Sequence, residues 1–203
     1  IHITETRKVN LEIGSSLFRV RRNQGNLRFK NPNDLFPPPQ HLTNFGRVNL
    51  KHCPVYYCSD NSTTSILESK LEEGDYFTLI ENSLVKKIQL AVIGNCSRYK
   101  LPNVLTKKLS VFDERITEVI GKKIENADDY LLTATLGNTL MSDHNFQGLM
   151  YPSVFATEQS DNFALRTNIL NELLMFKNVR MFHVSKKLNE NSLIINCIAK
   201  SND

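Results

Sequence analysis

Residues 53–80 read CPVYYCSDNSTTSILESKLEEGDYFTLI, and this stretch decides the fold class. Its first part, Pro54 to Ser59, is rich in β-branched and aromatic residues and reads as a strand. Asn61-Ser62-Thr63 is a helix start, because short polar side chains accept from the unpaired N–H groups of a first turn. Ile66, Leu67 and Leu71 then give one apolar face to a helix near 62–72, which Gly74 ends. Asp75 to Ile80 returns to strand. Working outward, SLFRVRR at 16–22 alternates apolar and basic residues as a half-buried strand does. Between them lies Asn23 to Asn44, with NPND and three prolines at 37–39; it cannot be helical, and a loop of that length often covers a site. Downstream, a polar turn at Glu81 to Ser83 leads to a strand at Val85 to Ile93.

The second half carries an amphipathic pattern over 103–121, through Leu105, Leu109, Phe112, Ile116 and Ile120. A further helix is expected over Ala127 to Met141, with Leu131, Leu132, Leu136 and Leu140 inside. Gly148 to Phe155 is short and β-like, and Phe163 to Met175 fits either strand or helix. Val179 to Val184 and Ser192 to Ala199 flank a KKLNEN turn as a terminal hairpin. Strands and helices mix without regular βαβ alternation, so the fold class is α+β.

With 203 residues, 40% of them hydrophobic, the chain fits one domain over 1–203 that needs no disulfide or metal staple. A net charge of +4 favours anionic ligands without announcing nucleic-acid binding. The four cysteines, Cys53, Cys58, Cys96 and Cys197, are irregularly spaced and read as structural free thiols. No apolar run reaches membrane-spanning length, and IHITETRKVN lacks the apolar core of a signal peptide. Asn61 and Asn95 begin glycosylation sequons, which carry no weight without secretion. The expectation is a cytoplasmic protein with no membrane partner. A start at Ile1 instead of Met suggests a piece of a longer protein.

Several chemistries are not written here. The glycines form neither a dinucleotide fingerprint nor a P-loop, and no zinc-hydrolase or serine-hydrolase motif occurs. The five histidines never pair at i, i+4, so no metal site is expected. Arg19, Arg21, Arg22, Arg28 and Lys30 form either a phosphate site or a solvated edge. With no Trp and scattered Phe there is no stacking platform, so no nucleic-acid partner is expected.

One ordered set of motifs remains. Phe18 precedes Arg19 in the first strand, and the prolines at 37–39 precede Gly46-Arg47-Val48-Asn49. Tyr57, Thr63-Thr64 and Glu68 follow, then Tyr151-Pro152-Ser153 and Asn162. In this order, and with 10 positions from Arg47 to Tyr57 and 11 from Tyr57 to Glu68, they resemble the RES domain family over roughly residues 16–165. Two departures stand out: Val48 where many members have Trp, and YYCS where many read Tyr-Leu-Ala.

The resemblance implies a core like that of the ADP-ribosyltransferases: a mixed or antiparallel sheet with peripheral helices. It implies an enzyme, often a toxin of bacterial toxin–antitoxin systems, that breaks the nicotinamide–ribose bond of NAD+. The acceptor is water or inorganic phosphate, and NAD+ is substrate, with no cofactor required. A cognate antitoxin or an N-terminal regulatory domain would restrain it, and a homo-oligomer stays open. An ADP-ribosyltransferase acting on a protein and a catalytically silent interaction module are the rival readings.

The residues suit that chemistry. Arg47 can clamp phosphate oxygens two at a time, with Arg19 as a second cation. Tyr57 offers a face to the cationic nicotinamide ring. Glu68 places an anion beside the developing ribose cation, and Ser153 and Asn162 would bind the ribose or nicotinamide end. Apart from the resemblance, Glu68 is an ordinary solvated residue beside an apolar helix face, and Tyr57 an ordinary core aromatic.

Overall fold

Alternation in SLFRVRR drives Leu17 into the core at 1% exposure, and the strand it makes organises the molecule. The computed structural model describes residues 8–94, 118–120, 127–153, 155 and 160–200, with backbone only for 127–130. Among the described residues nine strands form one mixed sheet. They are β1 (Lys8–Leu11), β2 (Ser16–Arg22), β3 (Val55–Ser59), β4 (Tyr76–Leu84) and β5 (Ile88–Val92). The others are β6 (Gly148–Pro152), β7 (Asp161–Arg166), β8 (Leu174–Asn189) and β9 (Ser192–Lys200). Their order across the sheet is β1-β5-β6-β7-β3-β2-β4-β8-β9, with β5 and β6 parallel and the other neighbours antiparallel. The helices α1 (Ser62–Glu68), α2 (Ala127–Ser142) and the short α3 (Leu170–Leu173) complete an α+β fold.

Period-2 alternation in β3 separates two cores. Tyr56 and Cys58 join Leu17, Leu90, Met150, Phe163 and Leu165 on one side. Tyr57 faces the other, where Val48, Leu149, Tyr151 and Ala164 pack with Leu136 and Leu140 of α2. On this second side Ser59, Asn162 and Tyr151 stand in one cross-strand row of β3, β7 and β6.

The expected elements need several corrections, among them the KKLNEN turn, whose first four residues continue β8 as far as Asn189. No turn occurs at Glu81–Ser83: β4 runs through it with a register shift between Glu81 and Asn82. Asn82 is fully buried, and its amide nitrogen donates to the Leu17 carbonyl at 3.2 Å and the Tyr56 hydroxyl at 2.9 Å, which offsets part of the cost of burying it. The helix near 62–72 ends at Glu68, and Lys70 adopts a left-handed φ of 47°. In α2 only Leu136 and Leu140 of the four expected leucines pack inward; Leu131 and Leu132 are 54% and 56% exposed. The strand expected over Gly148 to Phe155 stops at Pro152. Phe163–Met175 contains the end of β7, a helical turn and the start of β8. Residues 118–120 are helical, while the rest of the 103–121 pattern, with Asn95 and Cys96, lies outside the described residues.

Candidate active site

The site begins at the cap of α1. The Asn61 side chain accepts from the Thr64 backbone N–H at 2.8 Å, as its sequence position predicts. Its amide also donates to Asp60 and to Ser160 Oγ, both at 2.9 Å. Ser160 Oγ donates in turn to Asp60 and accepts from Thr64 Oγ1, and Asp60 Oδ2 accepts from the Asp161 N–H at 3.1 Å. This knot rivets the start of α1 to the start of β7. Two turns later the helix delivers Glu68 over the row of Ser59, Asn162 and Tyr151.

There Glu68 Oε1 accepts two hydrogen bonds, from Ser153 Oγ at 2.6 Å and from Asn162 Nδ2 at 2.7 Å. The donors come from the segment after β6 and from β7, so three separated parts of the chain converge on one carboxylate oxygen. The carboxylate opens on a cleft of about 260 Å³ whose walls include Arg19, Arg47, Tyr57, Glu68, Tyr151 and Asn162. Of the expected site residues all but Ser153 line it directly, and Ser153 reaches it through Glu68.

The Gly46-Arg47-Val48-Asn49 stretch acquires a physical reason here. Gly46 and Asn49 bridge as an antiparallel pair, closing a tight turn. Tyr57 Oη donates to Asn49 Oδ1 at 2.8 Å and accepts from the Val48 N–H at 3.1 Å. Asn49 Nδ2 donates to the carbonyls of Asn44 and Leu50, at 3.0 and 2.9 Å. A Cβ at position 46 would stand 2.3 Å from Asn49 Oδ1 and 2.7 Å from Tyr57 Oη, so only glycine fits. On the far side Gly137 of α2 packs directly on the Val48 carbonyl. Held from both sides, the turn aims Arg47 into the cleft, where its Nη1 also donates to the Ile120 carbonyl.

Tyr57 therefore does two jobs: its hydroxyl ties down the turn and its half-buried ring lines the cleft. Arg19 is more deeply set than a solvent-facing cation. It donates to the Tyr57 carbonyl at 2.9 Å, lies 4.7 Å from the Tyr56 ring centroid, and burial lowers its pKa. Its neighbour Arg21 leaves the site altogether, donating to the carbonyls of Asp34 and Phe36 and pinning the long loop to the sheet.

The sequence reading gave no site role to Tyr151, Asn49, Ser59 or Lys70, although Tyr151 and Asn49 stand in its motifs. Tyr151 is buried, and burial pushes its hydroxyl pKa well up, helped by Tyr57 and Glu68, so it stays a neutral donor. Lys70 and Phe155 stand together at the cleft, the ammonium 5.7 Å from the ring centroid. The loop Asn23–Asn44 does not cover the cleft: none of its residues is among the cleft's described walls. Residues 28–32 and Leu35 instead help wall a separate groove of about 310 Å³, which has no carboxylate among its described lining residues. Among the described residues, no three His, Cys, Asp or Glu side chains cluster as a metal site. No described helix is long and apolar enough to cross a membrane.

A carboxylate set in a cation-lined, aromatic-walled cleft over the central strands of a mixed sheet defines the class of site. The family model of the RES domain matches residues 16–172, and the chain belongs to that family. No curated protein matches the chain.

Proposed function

We propose that the protein cleaves the nicotinamide–ribose bond of NAD+, with water or inorganic phosphate as acceptor, and acts as a toxin or effector. Membership of the RES family supports an NAD-related role at the level of the family. The observation that carries the reading is the paired donation of Ser153 and Asn162 to one oxygen of Glu68 inside the cleft.

The chemistry asks little covalent work of the protein. Nicotinamide leaves as a neutral molecule, so the bond breaks through a ribosyl species with oxocarbenium character. What lowers the barrier is an anion fixed beside the developing positive charge, in a site already organised before reaction. Glu68 is that anion, and its two donors hold Oε1 in place before the bond breaks, which limits the reorganisation the reaction needs. Arg47 takes the pyrophosphate, whose paired oxygens match a guanidinium fork. The Tyr57 ring lines the cleft where the flat nicotinamide would lie. Arg19, with one arm on the Tyr57 carbonyl, contributes field more than direct contact. The acceptor then attacks C1 of the ribose, giving ADP-ribose from water or its 1-phosphate from phosphate. Cytoplasmic action and restraint by a neutralising partner chain or an N-terminal segment belong to the same proposal.

Incubating the protein with NAD+, with and without phosphate, and following nicotinamide by chromatography tests this reading. Release in both buffers identifies a glycohydrolase, and release with phosphate alone a phosphorylase. Nicotinamide release only when an acceptor protein becomes mass-shifted would move the assignment to ADP-ribosyl transfer. Absence of NAD+ binding would sink it.

A further inference from the structure

The Asn162 amide has two ends, and only one orientation serves Glu68. A carboxylate accepts and cannot donate, so the amide must present Nδ2 to it, as it does at 2.7 Å. Oδ1 then points the other way, where Ser59 Oγ donates to it at 2.7 Å. Ser59 and Asn162 are direct cross-strand partners of β3 and β7, 3% and 4% exposed. At that depth bulk water does not replace a missing donor.

We propose that Ser59 is a positioning residue for the NAD+-cleaving reaction: its hydroxyl locks the Asn162 amide in the orientation that donates to Glu68. This rests on the reading of Glu68 given above. The relay runs Ser59 Oγ–H to Asn162 Oδ1 and Asn162 Nδ2–H to Glu68 Oε1, each link 2.7 Å long. The neighbouring donor, Ser153, reaches the same oxygen from the segment after β6 and has no part in the relay. Without the hydroxyl, Oδ1 is left unpaired, and the amide gains by rotating away from the geometry that Glu68 needs.

Steady-state NAD+ turnover of wild type, Ser59→Ala, Ser59→Cys, Asn162→Ala and the double variant Ser59→Ala/Asn162→Ala tests the relay. Ser59→Ala is expected to lower kcat about tenfold with KM nearly unchanged, the loss of one strong hydrogen bond's worth of organisation. Ser59→Cys, a weaker donor of similar shape, is expected between the two. Once Asn162 is gone, removing the hydroxyl as well is expected to change kcat less than about twofold, because the relay has no second member. An unchanged kcat in Ser59→Ala overturns the proposal. So does an equal loss from Ser59→Ala in the presence and absence of Asn162, which would mean that Ser59 acts on substrate directly. An inactive wild type would instead refute the underlying reading, and the relay with it.

Discussion

Replacing Gly46 by alanine probes the link between the motif and the cleft more sharply than deleting a polar side chain. The added methyl would lie 2.3 Å from Asn49 Oδ1, 2.7 Å from Tyr57 Oη and 3.3 Å from Tyr57 Cε2. The first two atoms are hydrogen-bonded to each other at 2.8 Å, and Asn49 is held by two backbone carbonyls, so neither moves alone. Overpacking of this kind costs about 1–3 kcal/mol. Parting the Tyr57–Asn49 bond adds about 1 kcal/mol. A loss of about 2–4 kcal/mol would lower Tm by roughly 4–16 °C for a chain of this size. Tyr57 and the turn bearing Arg47 would separate, so NAD+ affinity should fall even in the fraction that stays folded. Thermal melts followed by circular dichroism, paired with calorimetric NAD+ titration well below Tm, read both effects. A variant melting within about 1 °C of wild type and binding NAD+ equally would refute the claim that close approach of Tyr57 dictates this glycine.

Other perturbations follow from the same geometry. Asn61→Ala removes the cap of α1 and its bonds to Asp60 and Ser160, so Tm should drop by roughly 2–8 °C, a loss of about 1–2 kcal/mol. Burial pushes the Cys58 thiol up to about 12, so at pH 8 a thiol reagent should label exposed Cys197 promptly and Cys58 only after denaturation. That shift also sets a pH dependence. The native state favours the neutral thiol, so its stabilisation is complete below the unfolded pKa near 9 and is lost as pH rises towards 12. Tyr56 and Tyr151, also raised by burial, act in the same direction, and denaturant midpoints measured from pH 8 to 11 should fall steadily.

Much of the fold around the cleft was legible because its signals are local, whereas the site residues stood out only through the family resemblance. The cap at Asn61, the β-rich run just before it and the strand alternation of 16–22 needed no knowledge of distant residues. Glu68, Arg47, Tyr57, Ser153, Asn162 and Arg19 do meet around one cleft, although 115 positions separate Arg47 from Asn162. What was illegible depended on tertiary partners. Glu81-Asn82-Ser83 looks like a turn, and only the Leu17 carbonyl and Tyr56 hydroxyl offset part of the cost of burying Asn82 inside a strand. The leucines of α2 follow helical spacing, yet which of them face inward is decided by the sheet beneath. Ser59 is one small residue in a strand, and its position beside Asn162 emerges only from the β3–β7 register. Lys70 was hidden by a helix that ends earlier than its apolar pattern suggests.

The central claim is that Glu68, gripped by Ser153 and Asn162, stabilises the developing ribosyl cation. Glu68→Gln tests it most directly, because the side chain keeps its size and loses only its charge. Nicotinamide release from saturating NAD+ should fall at least about a hundredfold, while NAD+ binding and Tm stay close to wild type. Turnover by Glu68→Gln within about threefold of wild type would contradict the account.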